Sequence, residues 1–247
     1  MYAAFAGVYD ALMEQVDYKA WAAHYDQLMQ LCRVKKGARC VECACGTGSI
    51  TLPLRKMGYQ MTGVDLSEEM IQKAMERARN EGLMIPFIRQ DMCQLQLPRK
   101  TECILATCDG VNYLIAPAKV KQFFRAAFDG LKSGGALIFD VSSEYKLKNT
   151  LGNNTLTCDE EDVAYIWHNR FNEKTACVDM SLSIFRKRAD GAFDRIEEQQ
   201  TQRAHTKEEL CQWLAEAGFE QVKVFGNLRM TAPRSNDERL HFCAVKP

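Results

Sequence analysis

Apolar residues recur at helical spacing near the start of the chain. Tyr18, Trp21, Ala22, Tyr25, Leu28, Met29 and Cys32 fall on one face and predict an amphipathic helix over residues 17–33. Short apolar runs then alternate with helical patterns: Arg39–Ala44, Ser49–Met57, Gln60–Asp65 and Ser67–Glu81. A strand–helix–strand–helix order specifies a parallel sheet joined by right-handed crossovers. Further strands are expected at Ile85–Arg89, Glu102–Thr107 and Ala136–Val141. Between the last two, Val120, Phe123, Phe124, Ala127, Phe128 and Leu131 form the clearest helical stripe, and Gly134-Gly135 is expected to stop it.

From about Ser142 to Gln202 the period changes to two. Val178, Met180, Leu182 and Ile184 alternate with polar residues, as do Val163, Tyr165, Trp167, Asn169 and Phe171 one strand earlier, and Asp190-Gly191 marks a turn before Phe193. Helical spacing returns with a capping box at Thr206 and Glu209, an apolar face of Leu210, Trp213, Leu214 and Ala217, and a stop at Gly218. Strands Glu220–Phe225 and Leu240–Val245 are expected to close the sheet as a hairpin. The pattern describes a doubly wound, mostly parallel α/β domain of residues 1–141 and 204–247, with an antiparallel β insertion at 142–203 and an N-terminal helical cover.

At 247 residues the chain is long enough for one core plus such an insertion. Lys plus Arg and Asp plus Glu number 32 each, so no net positive field exists to collect nucleic acid. The apolar start Met1–Met13 lacks a basic leader and is interrupted by Asp10, and no run approaches the roughly 18 apolar residues of a membrane span. A cytoplasmic protein with no membrane partner is expected. Eleven cysteines, an odd number, suit reduced buried thiols. Cys40, Cys43 and Cys45 lie close together, yet no second Cys/His pair stands at ligand-like spacing, so no metal is expected.

The chemistry gathers after the first strand, in Glu42-Cys43-Ala44-Cys45-Gly46-Thr47-Gly48-Ser49. A glycine-rich turn that opens a helix lets backbone N–H groups approach an anionic ligand group. A dinucleotide site asks for a third glycine, where this chain has Thr51, which argues against NAD or FAD. At the end of the second strand Asp65, in Gly63-Val64-Asp65-Leu66-Ser67, can accept both hydroxyls of a ribose. An adenosine-type cofactor is thereby indicated, and Glu42 and Thr51 lean towards a methyl donor.

On these residues the chain resembles the class I S-adenosylmethionine-dependent methyltransferases. Val41–Ser49 resembles their motif I and Asp65 their ribose-binding acid; Gln90-Asp91-Met92 is similar to the adenine-binding segment, and Cys108–Tyr113 occupies the motif IV position beside the methyl group. Leu131–Leu137 resembles the turn into strand five. The Tyr2–Trp21 segment, with Phe5-Ala6, Tyr9-Asp10 and Val16-Asp17-Tyr18, is similar to that of small bacterial methyltransferases with an insertion after strand five, in which it folds over the cofactor. The resemblance implies a seven-stranded Rossmann-like sheet and S-adenosylmethionine as cofactor. It also implies contacts from Tyr18 and Trp21, from Glu42, Ala44, Gly46 and Gly48, from Asp65, Leu66 and Met70, from Gln90, Asp91 and Met92, and from Cys108, Asp109 and Asn112. Thr51, Leu52 and Leu54 read as packing residues, as do Met57, Met61, Met70, Met75 and Met84, with Met70 counted in the cofactor set too.

Methyl transfer from a sulfonium needs an aligned nucleophile and exclusion of water. A base matters only for a protonated acceptor, with His168, His205, Asp109 and Glu144 as candidates; His24 and His241 read as helix-face and strand residues. The motif IV segment departs from the Asn/Asp-Pro-Pro-aromatic pattern of base and amide methylation, and with zero net charge this favours a small-molecule acceptor. A nicotinamide-linked oxidoreductase and a silent S-adenosylmethionine-binding protein are the alternatives. The insertion is expected to roof the acceptor pocket with Tyr165, Trp167 and Phe171 as an apolar wall and to contribute little to cofactor binding.

Overall fold

The computed structural model describes residues 16–247, so Phe5, Ala6, Tyr9 and Asp10 lie outside the described residues. Helix α1 (Tyr18–Leu31) starts at Asp17, whose carboxylate accepts hydrogen bonds from the Lys19 and Ala20 amides at 3.1 and 3.0 Å. Strand β1 (Arg39–Cys43), helix α2 (Thr51–Lys56), strand β2 (Gln60–Asp65), helix α3 (Glu68–Asn80), strand β3 (Phe87–Arg89) and strand β4 (Thr101–Ala106) follow. Then come helix α4 (Pro117–Gly130) and strand β5 (Leu131–Ser142). A π-helix (Lys146–Leu151), strands β6 (Thr155–Asp159), β7 (Val163–Asn172), β8 (Cys177–Lys187) and β9 (Phe193–Arg203), helix α5 (Lys207–Glu216) and strands β10 (Glu220–Gly226) and β11 (Arg239–Val245) complete the chain.

The main sheet has seven strands in the order β10-β11-β5-β4-β1-β2-β3, parallel except for β11 against β5 and the β10–β11 hairpin. Its central strands are apolar on both faces because helices cover both. Val41, Cys43, Ile104, Ala106, Leu137, Phe139, Phe242 and Ala244 pack under α4 and α5 against Phe123, Phe124, Leu210 and Leu214. Residues on the other face, Cys40, Cys103, Leu105, Ala136, Ile138 and Cys243, pack against Tyr25, Leu28, Met29 and Cys32 of α1. Phe139 stacks on Phe242 with centroids 4.8 Å apart. Glu42, Asp140 and His241 alternate onto the α1 face, and all three are buried.

Three expectations need correction. The Gly134-Gly135 pair does not stop α4: the helix ends at Gly130, and β5 begins at once with a register shift in its pairing with β4, Gly134 standing at φ +73°. Met75 and Met84 are exposed, Met84 by 89%, so neither is core. Thr51 is more than packing, since its hydroxyl donates to Glu42.

The insertion is a four-stranded antiparallel meander, β6-β7-β8-β9. Its inner face carries Tyr165, Ile184 and Ile196, which cluster on Met70 of α3, and Trp167, Phe171, Val178 and Met180, which pack on Leu147 and Leu151 of the π-helix. Trp167 and Phe171 thus fasten the meander to the π-helix. Tyr165 sits instead with the Met70 cluster, so the insertion touches α3 as well as the segment after β4. Among the described residues no helix is long and apolar enough to cross a membrane.

Candidate active site

Chain reversal after β1 requires unusual backbone. Ala44, Gly46 and Gly48 take φ values of +52°, +53° and +81°, the left-handed region that costs a side-chain-bearing residue about 1–2 kcal/mol. The two glycines answer different demands. A Cβ on Gly48 would lie 2.7 Å from Leu52 Cδ1, so that position is closed by α2 packing. Among the described residues a Cβ on Gly46 would meet nothing within 4 Å, so they leave that flank of the turn clear. Asp65, at the end of β2, ties the turn in place: its carboxylate accepts from the Gly46 amide at 2.8 Å and from the Ser67 amide at 2.9 Å. The Gly46 amide is therefore directed at Asp65, whereas a glycine-rich turn opening a helix predicts an amide free to approach a ligand. Burial pushes the Asp65 carboxyl above its ordinary range, and the amide hydrogen bonds pull it back down.

Beneath the turn lies Glu42, fully enclosed, its carboxylate accepting from the hydroxyls of Thr51 on α2 and Thr107 after β4. Burial raises its pKa from 4.5 to about 7 despite those two hydrogen bonds. A folded-state pKa above the unfolded one means that the group favours folding most below about pH 4.5, and that this contribution is lost as pH rises through about 7. Glu42→Gln, read by urea unfolding, should therefore lose about 2 kcal/mol less stability than the parent between pH 5 and pH 8. Equal losses in the two proteins would exclude Glu42 as the titrating group.

The segment after β4 is strained as well, Cys108 and Asp109 standing at φ +53° and +55°. Asp109 accepts from Arg239 at 2.6 Å and from the Gln202 side chain at 2.6 Å, while its own amide donates to Asp140 at 3.0 Å. Asp140, 0% exposed, also accepts from Arg239 at 2.5 Å and from the Tyr25 hydroxyl. Trp21 covers the Arg239 guanidinium at 5.0 Å. Asp140, Arg239, Tyr25 and Gln202 are not marked as site residues by any motif; the lone acid in the apolar run Ala136–Val141 is the one signal the sequence carries for them.

Other expected site residues are distributed as follows. Tyr18 and Cys108 are packed against the α1-side core. Leu66 is 65% exposed at the carboxyl end of β2, and Met70 is buried beside it against Ile184. Gln90 is engaged with its own loop, donating to Gln96 O and accepting from Gln96 N; Asp91 caps the next turn by accepting from the Cys93 amide at 2.8 Å, and Met92 is buried in the α4-side core. Asn112 is a structural tie. Its amide donates to the carbonyls of Ser142 and Arg203 and accepts from the Ser142 amide, so its hydrogen-bonding groups are spent joining motif IV to both ends of the insertion.

Of the four candidate bases only Asp109 stands at the strand ends beside the glycine turn. His168 is exposed and bonded to Thr155 at 2.9 Å. His205 is buried, its pKa lowered to about 4 by burial and by Arg203, and it lines with Glu144, Thr206 and Asp237 a depression flanked by none of the glycine-turn residues. His24 and His241 are buried against each other at 4.5 Å, with burial holding both below the ordinary imidazole range. Among the described residues no group of His, Cys, Asp and Glu is placed to hold a metal ion.

Residues 40–135 match a family model described as a methyltransferase domain. A "Putative methyltransferase" of Geobacillus sp. (strain WCH70) is 32% identical over 245 residues, 99% of this chain and 99% of that protein. A protein of the same designation from Bacillus subtilis (strain 168) is 32% identical over 247 residues, 100% and 97% of the two chains. The crystal structure of an S-adenosylmethionine-dependent methyltransferase from Clostridium acetobutylicum ATCC 824 superposes with a TM-score of 0.90 at 30% identity, covering 99% of this chain and 98% of that one. With its seven-stranded sheet, its clear glycine turn and the acid that ends β2, the chain belongs to the S-adenosylmethionine-dependent methyltransferases.

Proposed function

We propose that this methyltransferase acts on a small-molecule acceptor bound between motif IV and the inner face of the insertion. Residues 1–141 and 204–247 serve as the cofactor-binding domain, and residues 142–203 as the substrate-side cap. The observation that carries this reading is that β9 closes directly onto motif IV, through Gln202 to Asp109 and through the Tyr113 hydroxyl to Gln200 at 2.8 Å. A roof bonded at that level suits a compact acceptor better than a polymer, and the zero net charge offers no field to gather nucleic acid. Eleven free cysteines suit a reducing, cytoplasmic setting.

The residues fit the cofactor: the clear flank at Gly46 admits the methionine end, Asp65 has lone pairs to spare for the ribose hydroxyls, and exposed Leu66 with Met70 offers an apolar shelf for the adenine. Asp91 takes the exocyclic amine, and Trp21 with the Cys108–Asp109 corner bounds the methyl end; Asn112 is left out because its amide is committed elsewhere. When bound, S-adenosylmethionine supplies an electrophilic methyl group: the acceptor's lone pair forms the new bond to carbon, the C–S pair stays on sulfur, and any acceptor proton leaves to solvent. This chain's contribution is to position the acceptor and exclude water.

Methyl release with a metabolite library tests the reading, the expected result being turnover of small acceptors and none of RNA or peptide. Turnover confined to a macromolecule would overturn it. Titration should show S-adenosylhomocysteine bound and NAD not. Gly46→Ala should weaken S-adenosylhomocysteine by at least about 10-fold, because the added methyl enters the clear flank, at a folding cost of about 1 kcal/mol. Gly48→Ala should mainly destabilise through Leu52. Full affinity in Gly46→Ala would refute the cradle.

A further inference from the structure

The inner face of β9 reads Ile196, Glu198, Gln200, Gln202, and three of these four have partners that fix where the face looks. Ile196 clusters with Ile184 on Met70 of α3, Gln200 accepts from Tyr113, and Gln202 donates to Asp109. Glu198 lies between Ile196 and Gln200 on the same face of one strand, so its side chain is directed to the region between the Met70 contact of Ile196 and the motif IV contact of Gln200.

That carboxylate is an anomaly. It is 3% exposed, and Oε2 has no hydrogen-bond partner among the described residues. No salt bridge reaches it there, whereas its neighbour Glu197 points to the opposite face and pairs with Arg195 at 2.6 Å. Across the sheet it stands beside Leu182, whose other neighbour is Trp167. Burial pushes its pKa above the ordinary carboxylate range, opposed by a hydrogen bond from Gln200. Gln200 satisfies part of the carboxylate, but a buried oxygen left without a partner still carries a desolvation cost, and the complement that offsets it is a cation or a strong N–H donor. A structural role would be served as well by an apolar residue of the same volume.

We propose that Glu198 is an acceptor-anchoring residue and that the acceptor is a small amine, whose amino group is held by Glu198 Oε2 between motif IV and Met70. This rests on reading the cleft as the acceptor pocket. Glu198 acts on binding and orientation; it takes no part in bond making to the methyl carbon.

The test uses the full chain saturated with S-adenosylhomocysteine and a series of primary amines of three to eight carbons, each paired with the alcohol of the same skeleton. Thermal shift and calorimetry are read on the parent and on Glu198→Gln. Amines should bind and raise the melting temperature of the parent where their alcohols do not, and Glu198→Gln should bind them about 10- to 100-fold more weakly, with S-adenosylhomocysteine affinity unchanged. Equal behaviour of amines and alcohols in the parent, or amine binding that survives in Glu198→Gln, overturns the proposal; the parent comparison stands even if the variant does not fold. If S-adenosylhomocysteine binds and small acceptors are methylated while amines are not preferred, only this inference fails. Methylation confined to a macromolecule removes the reading beneath it.

Discussion

Asp65→Ala should bind S-adenosylhomocysteine about 100- to 10,000-fold more weakly than the parent while remaining folded, as read by isothermal titration alongside circular dichroism. The carboxylate is proposed to accept two ribose hydroxyls, each such charge-assisted bond being worth about 1.5–3 kcal/mol. It has a second role: the Gly46 and Ser67 amides both donate to it. Removing it frees the glycine turn from β2, so part of the loss should come from disorder in the turn. Asp65→Asn separates the two contributions, because an amide oxygen still accepts one backbone N–H while the charge is gone. An intermediate affinity is expected for it. Parent-like affinity in folded Asp65→Ala would move the ribose site elsewhere.

The sequence was most informative where the physics is local. Strand β2 has the limits that its apolar run suggests, and Ser67 and Thr206 cap α3 and α5 because a short hydroxyl side chain satisfies open backbone N–H groups there. Strand β6 was invisible: Thr155–Asp159 is short, half polar and at the edge of its sheet, so only pairing with β7 makes it a strand. The π-helix is likewise set by packing, through Leu147 and Leu151 under β8.

In the site, residues near each other in sequence were easier to find than those joined by register. Arg239 meets Asp109 and Asp140 only because β11 runs antiparallel to β5 with His241 opposite Asp140. Nothing in residues 104–142 alone reveals it. Glu198 was legible in principle: in the run Ile196-Glu197-Glu198-Gln199-Gln200, the period of two that puts Ile196 inward puts Glu198 inward too. A stretch so polar reads as a solvated edge until the opposing motif IV segment is seen.

Arg239 is the residue whose loss should harm the fold most. Among the described residues it is the sole salt-bridge cation of two acids that share its guanidinium, Asp109 and Asp140, the latter wholly enclosed. The fold draws these acids together because Asp140 lies near the carboxyl end of the apolar strand β5 while Asp109 sits in a left-handed corner whose amide already bonds Asp140. Removing one partner of a buried ion pair costs about 3–5 kcal/mol, since the remaining charges stay out of water without compensation. Arg239→Met keeps much of the side-chain volume under Trp21, so its cost should be electrostatic and lie in that range by denaturant unfolding. Adding Asp109→Asn removes one of the two facing negative charges. The double variant should therefore be more stable than Arg239→Met alone, a coupling that independent contributions would not give. Arg239→Lys should fall between parent and Arg239→Met, because a single ammonium neutralises the acids but lacks the planar fork that bridges both and stacks on the Trp21 ring. If Arg239→Met unfolds at the parent's urea concentration, the triad is not what joins α1, motif IV and the sheet.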